Sequence, residues 1–220
     1  GSLMGARGNS GVILSQIFRG FAKALKNEKS VNAKTLAAAL MEGANTAYKA
    51  IMKPTEGTIL TVIRETGEHA VKVSESCTDA LMLMEEAIKK ANEVLARTPE
   101  MLPVLKNAGV VDAGGKGLIF ILEGMYYSLK TGMLLELNQE ADSAAQAEQA
   151  VKPIFTDEEI TFGYCTEFFI KGSNIDRERF KRDIAALGDS IVVVGEEELV
   201  KVHIHTNNPG RVLELALMNG

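Results

Sequence analysis

Apolar side chains recur at three- and four-residue steps through the first part of the chain, the spacing that gives an amphipathic helix one buried face. Pro, Gly and Ser in the short connections favour an all-α bundle of antiparallel neighbours. The predicted helices cover Val12–Leu25, Asn32–Met52, Thr58–Val73, Thr78–Arg97, a short segment after Pro99, and Gly115–Leu129.

This pattern is interrupted by the segment NQEADSAAQAEQAVK, residues 138–152. Val151 is its only sizeable apolar side chain, so the segment cannot bury a face. Pro153 then prevents a helix from continuing. We therefore predict a helical domain over residues 1–137, a linker over 138–152, and a second domain over 153–220.

The second domain shows strand patterns as well as helical ones. The predicted order is strand, helix, two strands joined by a tight turn, and helix, which is five-sixths of a ferredoxin-like α+β unit. The last strand of that unit is expected beyond Gly220. The predicted elements are Ile160–Ile170, Asp176–Leu187, Ser190–Val194, Leu199–His205, and a helix after Pro209.

Composition narrows the class of protein. The 220 residues include 24 Lys and Arg against 29 Asp and Glu, and a net charge of −5 argues against nucleic-acid binding through a basic surface. No apolar run approaches the ~20 residues of a membrane span, and no signal peptide is visible. The two cysteines form no disulfide framework. We expect a soluble cytoplasmic protein.

Three glycine-rich or polar segments each precede a predicted helix: GARGNSG at residues 5–11 (the glycine loop), KPTEGT at 53–58, and VVDAGGKG at 110–117. The free N–H groups and the dipole of a helix start favour an anion such as phosphate. Each segment is also explained as an ordinary helix cap. A bundle can gather helix starts at one end, which would create a site for a polyphosphate.

The segments GARGNSGVILSQIFRGF, KPTEGTILTV and VVDAGGKGL together resemble the nucleotide-binding domain shared by bacterial fatty acid kinases and the nucleotide-binding subunit of dihydroxyacetone kinases. GYCTEFFI and VKVHIHT resemble the middle domain of the fatty acid kinase family. The resemblance implies an α-helical barrel that binds ATP with magnesium and phosphorylates a fatty acid carboxylate. It also implies a separate DegV-like acyl-binding partner, an acyl phosphate product for phospholipid synthesis, and a homodimer as one expected state.

The resemblance assigns nucleotide-binding positions to this chain. The family's phosphate-facing loop matches Gly8, Asn9, Ser10 and Gly11. The family's polar residue at the helix start beside the nucleotide matches Thr58. The Asp-x-Gly turn that closes over the nucleotide matches Asp112 and Gly114. The dihydroxyacetone branch usually has Pro inside that turn, where this chain has Ala113. This difference favours the fatty acid branch.

The resemblance fails for magnesium. Both branches hold magnesium with aspartates in a Pro-Asp-Gly-Asp-x-Gly-like loop well upstream of the glycine loop, and only four residues precede Gly5 here. The hard oxygen ligands that magnesium requires are therefore missing from this chain. We expect a fragment, lacking also the family's C-terminal partner-binding domain, that does not transfer phosphoryl groups efficiently alone.

Cys165, His203 and His205 are candidate metal ligands. Two strand residues separated by one position lie on the same face, so both imidazoles can reach one ion. Cys165 lies in another predicted strand and would complete a Cys-His-His set, typical of an open zinc site. The alternatives are inert packing and a Cys–His nucleophilic pair. A matching Cys and His-x-His in the family's middle domain favours zinc.

Three functions follow from these patterns. The first is the nucleotide-binding part of a fatty acid kinase. The second is the same chemistry on another substrate, dihydroxyacetone or a small polyol. The third is a non-catalytic module that binds nucleotide and zinc in assembly or regulation.

Overall fold

The computed structural model describes residues 2–133 and 161–219. The predicted linker, residues 138–152, lies outside the described residues. The first described part is entirely helical, with α1 (Ser2–Gly5), α2 (Gly8–Leu25), α3 (Ala33–Ala50), α4 (Ile59–Val73), α5 (Ala80–Met101), α6 (Pro103–Ala108) and α7 (Ala113–Thr131). This confirms the prediction of an all-α domain.

The long helices pack their apolar faces around one core. Helix α2 packs on α3, α3 on α4 and α4 on α5, while α7 covers α4 and α5. Among the described helices, none is long and apolar enough to cross a membrane. The largest side chains of this core that are essentially inaccessible are Leu40, Leu60, Ile63, Leu83, Met84 and Ile119.

Helix α5 continues through Pro99 to Met101, so its predicted end at Arg97 is wrong, but the short helix predicted after Pro99 is present as α6. Proline has no N–H to give to the carbonyl four residues earlier, which is that of Leu95. The hydroxyl of Thr98 donates to this carbonyl instead, at 2.7 Å. The last turn of α5 therefore survives the proline, and the short helix α6 begins at Pro103.

The second described part is an α+β unit, as predicted. Its elements are β1 (Tyr164–Lys171), α8 (Arg177–Ile184), β2 (Gly188–Glu196), β3 (Leu199–Thr206) and α9 (Pro209–Leu217). The sheet order is β1-β3-β2, and β3 is antiparallel to both neighbours. Strands β1 and β2 therefore run in the same direction with β3 between them, which is the arrangement of a split βαβ unit.

The two faces of this sheet have different neighbours. Because side chains alternate along a strand, Val200, Val202 and Ile204 share one face and lie in the core that also contains residues of α8 and α9. The opposite face of β2 meets the helical domain, where Val192 and Val194 form a small cluster with Ala6 and Val12. An isolated bridge between Ile51 and Val192 adds a second contact. The sheet is thus fixed beside the start of α2.

Glycine sets the close approach of α2 to α3. A Cβ at Gly20 would overlap the carbonyl oxygen of Glu42 and lie 2.6 Å from Thr46 Oγ1. We predict that Gly20→Ala lowers the free energy of unfolding by about 1–3 kcal/mol, because the helices must separate to admit the methyl group. Urea unfolding followed by circular dichroism measures this change.

Gly124→Ala is the matched control for Gly20→Ala. Gly124 is also helical, in α7, but a Cβ there would have no neighbour within 4 Å. Alanine is the better helix former by about 1 kcal/mol, so this variant should be equally stable or more stable. A Gly20→Ala variant as stable as Gly124→Ala would contradict the close packing of α2 on α3.

Candidate functional site

Three helix starts open onto one cleft of about 170 Å³. These are the starts of α2, α4 and α7, which follow the three segments singled out in the sequence. The cleft is lined by Asn9, Ser10, Ile13, Ile51, Lys53, Thr55, Thr58, Ile59, Leu60, Asp112, Ser190 and Val192. The structure therefore brings Asn9, Ser10, Thr58 and Asp112 together.

The glycine loop leads into α2 through a left-handed residue. Gly8 has φ of +59°, a conformation that side-chain-bearing residues rarely adopt, and α2 begins at this residue. Asn9 and Ser10 follow in the first turn and line the cleft, whereas Gly11 packs against Ala6. The buried Asn9 Oδ1 has no hydrogen-bond partner within the described structure. This orphaned oxygen is an acceptor that a ligand could satisfy.

The KPTEGT turn is held by Glu56, which the sequence analysis did not single out. Its carboxylate accepts hydrogen bonds from Thr61 Oγ1 at 2.6 Å, from Arg64 at 2.9 Å and from the Tyr48 hydroxyl at 3.0 Å. Burial alone would raise the pKa of Glu56, but the hydrogen bonds from Thr61, Arg64 and Tyr48 outweigh it and lower that pKa. The ionised carboxylate therefore fixes the turn that presents Thr58.

Thr58 and its preceding glycine complete this turn. Gly57 has φ of +79°, and a Cβ there would lie 3.0 Å from both Leu102 Cβ and Met101 Cβ. Thr58 Oγ1 accepts from Leu60 N–H at 3.4 Å and so caps α4. Its hydroxyl group donates to Thr55 O at 2.7 Å.

Asp112 and Gly114 occupy the third helix start. The carboxylate of Asp112 accepts from Gly115 N–H at 2.6 Å, and the Asp112 N–H donates to Thr98 Oγ1 at 3.1 Å. Burial raises the pKa of Asp112, against the lowering effect of backbone N–H groups of Gly115 and Ile59. A Cβ at Gly114 would lie 3.3 Å from Ile59 Cβ, so this glycine admits α4 close to the turn.

The electrostatics of the cleft favour an anion. Three helix starts contribute positive dipole ends, and Lys53 adds a cation that has no ion-pair partner among the described residues. Asp112 is the single carboxylate among the lining residues, and it is occupied in capping α7. Magnesium takes several oxygen ligands. The described lining therefore does not fit a magnesium site.

The second domain also contributes to this cleft. Ser190 has φ of +52° and lies at an irregularity of β2, between Asp189 and Val192. This bulge places Ser190 and Val192 in the cleft lining. The sequence analysis predicted the strand but not this contact, because a bulge leaves no local composition signal here.

Cys165, His203 and His205 come together on the sheet, as the strand pattern predicted. Their candidate ligand atoms all lie within 4.8 Å of one another. The register pairs Cys165 with His205 across β1 and β3, and His203 lies two positions before His205 in β3, on the same face. We call these three residues the Cys-His-His cluster.

A carboxylate lies behind each imidazole of this cluster. Glu167 Oε1 is 2.8 Å from His203 Nδ1, and Asp189 Oδ1 is 3.3 Å from His205 Nδ1. Carboxylates behind metal-ligating histidines fix the ring orientation and leave Nε2 for the metal. The buried His203 Nε2 has no hydrogen-bond partner in the described structure. This orphaned nitrogen is the observation that best fits a metal ligand.

The protonation state of His203 also suits a metal. Burial lowers the pKa of His203, and the opposing effect of Glu167 does not restore it. The neutral imidazole, which is the form that binds metals, is therefore favoured near neutral pH. Thiolate and imidazole donors together suit zinc rather than magnesium or calcium.

The chain combines a helical bundle, which has three glycine-rich or polar helix starts, with a split βαβ unit. Comparison with known protein families identifies both parts. Residues 1–127 match the DAK2 domain, and residues 161–220 match the FakA-like middle domain of fatty acid kinases. The chain belongs to the DAK2 domain family. Both matches support a role within a kinase family.

Similar proteins are known from Staphylococcus aureus. An uncharacterized protein of strain bovine RF122 / ET3-1 is 46% identical over 227 residues, a match that covers 100% of this chain and 41% of the relative. An uncharacterized protein of strain USA300 is 45% identical with the same coverage. The chain thus spans about two fifths of the length of these curated relatives.

Proposed function

We propose that this chain forms the nucleotide-binding part of an ATP-dependent kinase that acts on a fatty acid. The observation that carries the proposal is the convergence of three helix starts on one cleft. Phosphoryl transfer depends mainly on positioning and on stabilising negative charge, and helix starts do both for phosphate oxygens.

The described residues give each part of the nucleotide a partner. The N–H groups of Asn9, Ser10 and Gly11, in the first turn of α2, would donate hydrogen bonds to phosphate oxygens, and Lys53 would balance the phosphate charge. Thr58 and Asp112 would border the nucleotide from the other two helix starts. A cleft of about 170 Å³ is smaller than a typical ligand pocket, so only part of ATP would be enclosed.

The match of residues 161–220 to a fatty acid kinase middle domain favours a fatty acid over dihydroxyacetone or another polyol. In the proposed reaction, a carboxylate oxygen of the fatty acid attacks the γ-phosphorus of ATP, the bond to the β-phosphate oxygen breaks, and ADP leaves. The product is an acyl phosphate for phospholipid synthesis. A separate DegV-like protein would present the fatty acid.

For the isolated chain, the single carboxylate in the cleft lining favours binding without turnover. Magnesium would need ligands beyond those in the described lining. The chain alone would then act as a module that binds nucleotide and zinc.

Zinc is the proposed occupant of the Cys-His-His cluster. The Cys165 thiolate and the Nε2 atoms of His203 and His205 would be its protein ligands, with Glu167 and Asp189 orienting the two imidazoles. Bound there, zinc would join β1 to β3 and hold the sheet face that meets the helical domain.

We predict that Ser10→Asp weakens ATP binding by about tenfold, which corresponds to about 1.4 kcal/mol. Ser10 is the third residue of α2, where an acidic side chain is favourable for the helix, so the fold should be retained. The added charge would repel the phosphates. Isothermal titration calorimetry with ATP measures the change.

Met82→Asp is the matched control for the added charge. Met82 is the third residue of α5, as Ser10 is of α2, and its side chain is 60% exposed. The end of α5 that lies near the cleft contains Thr98, which is beside Gly57. Met82 lies at the opposite end of the helix. ATP affinity should therefore not change. Equal affinities for both variants and the unmodified chain would contradict a phosphate site at the start of α2.

The zinc proposal predicts about one zinc per chain when the protein is purified without a histidine tag. Cys165→Ser and His203→Ala should both lose the metal, because each removes a ligand. Cys77→Ser should retain it, since Cys77 lies outside the cluster. Elemental analysis measures the zinc content of each variant. A metal-free unmodified protein would contradict the proposal.

The fatty acid proposal predicts different outcomes for the chain alone and in a chimera. With Mg-ATP, a fatty acid and a DegV-like protein, the chain alone should give background acyl phosphate. Grafted in place of the aligned segment of the staphylococcal relative, it should support turnover within about tenfold of that relative, since the aligned segments are 46% identical. Acyl phosphate is trapped with hydroxylamine and quantified. A relative that forms none would contradict the fatty acid substrate.

A further inference from the structure

A buried ammonium group lies where the sheet meets the glycine loop. Lys201 Nζ donates to the backbone carbonyl of Ala6 and lies 3.8 Å from Glu167 Oε2. The Lys201 side chain is only 2% exposed, and its ammonium is 5.3 Å from the centre of the Phe169 ring. A buried charge is costly unless it is paired, so Lys201 ties Glu167 and Ala6 to one position.

Glu167 connects this ammonium to the Cys-His-His cluster. One carboxylate oxygen lies 2.8 Å from His203 Nδ1, and the other pairs with Lys201, which donates to the carbonyl of Ala6 in the glycine loop. The backbone N–H of Gly8 also lies near enough to this carboxylate to help lower its pKa. Glu167 therefore contacts a candidate metal ligand directly and is joined to the glycine loop through Lys201. These contacts cross from the second domain to the helical domain.

Helix α2 has no side-chain cap of its own. Arg7 occupies the capping position, and its side chain makes no capping hydrogen bond. The Gly8 N–H is among the groups that a helix leaves without an internal partner. Glu167, in β1, lies near enough to this N–H for the N–H to help lower the carboxylate's pKa, and Asn9 and Ser10 line the cleft.

We infer that Glu167 links zinc occupancy of the Cys-His-His cluster to the order of the glycine loop, and thereby to nucleotide affinity. The inference rests on the zinc and nucleotide sites proposed above. Zinc on His203 Nε2 requires the ring proton to be on Nδ1, which then donates to Glu167 permanently. The carboxylate is then fixed in one orientation, in which it pairs with Lys201 and so holds the ammonium that binds the carbonyl of Ala6 in the glycine loop.

The two ligands would then strengthen each other. A loop already ordered by zinc loses less conformational entropy when nucleotide binds, so zinc raises ATP affinity without a new contact to ATP. Thermodynamic linkage requires ATP to raise zinc affinity by the same factor. Glu167 acts in this scheme as a positioning residue, since it reaches the nucleotide only through the glycine loop.

The test measures ATP affinity with the cluster loaded and stripped. A metal buffer holds free zinc high enough to saturate the protein and too low to load ATP, and the stripped sample contains chelator alone. We expect the Kd for ATP to be about tenfold lower with zinc, within the usual range of coupling between sites. Amide hydrogen exchange in residues 5–11 should also be slower with zinc, before any nucleotide is added.

Glu167→Ala and Asp189→Ala form a matched pair. Each removes a carboxylate behind a candidate zinc ligand, so both should weaken zinc binding by about 10–100-fold. In the described structure Asp189 forms no ion pair with Lys201, whereas Glu167 does, and Lys201 holds Ala6 of the glycine loop. Glu167→Ala should therefore abolish the zinc effect on ATP affinity, while Asp189→Ala should retain it when zinc is saturating.

Removal of Glu167 leaves the Lys201 ammonium without its carboxylate, which threatens the fold. Glu167→Gln keeps the size and one oxygen acceptor, and it should reduce the zinc effect as well, since one amide oxygen replaces two carboxylate oxygens. This variant tests the link if the alanine variant does not fold.

Each outcome decides between the inference and the functions on which it rests. Equal ATP affinity and unchanged exchange in residues 5–11, with and without zinc, would overturn the link but leave both sites standing. A protein that binds no zinc would overturn the zinc centre and the link together. Zinc binding without ATP binding would overturn the nucleotide site, and slower exchange in residues 5–11 would then still support the link.

Discussion

The open start of α2 is the constraint on which both candidate sites depend. Its first N–H groups have no partners within the helix, and Arg7 does not cap them. Glu167 lies near one of these groups, the Gly8 N–H, from across the domain boundary, while Asn9 and Ser10 line the cleft. N–H groups left without partners in this way are costly to the fold but are available to a ligand. The uncapped start of α2 therefore contributes both to the cleft and to the contact with the sheet.

The alternation of side chains along β3 makes this arrangement possible. Even-numbered residues such as Val202 fill the core of the split βαβ unit, whereas Lys201, His203 and His205 point to the opposite face. That face cannot be left as a bare charged surface against the helical domain, because buried charges need partners. The partners come from both domains: Glu167 from β1 and the carbonyl of Ala6 from the glycine loop.

Much of this architecture was predictable because it is local in the sequence. Periodicity identified the long helices and the strands, and strand spacing was enough to place His203 and His205 on one face. The predicted end of α5 at Arg97 was too early because the hydrogen bond from Thr98 to Leu95 replaces the one that Pro99 cannot make. Glu167 was not identified because its importance comes from Lys201 and His203, which are distant in the chain. Composition and local spacing do not indicate which residues distant in the chain will contact each other.

The two proposed sites differ in donor chemistry, and this difference separates their roles. The cleft offers backbone N–H groups, hydroxyls and one lysine, which suit the oxygens of a phosphate chain. The Cys-His-His cluster offers sulfur and nitrogen, which suit zinc and poorly accommodate magnesium. Zinc at the cluster would therefore not serve the reacting phosphate directly. Its influence on the cleft would pass through the carboxylate of Glu167, which gives the middle domain a physical means of acting on a nucleotide that its cluster does not touch.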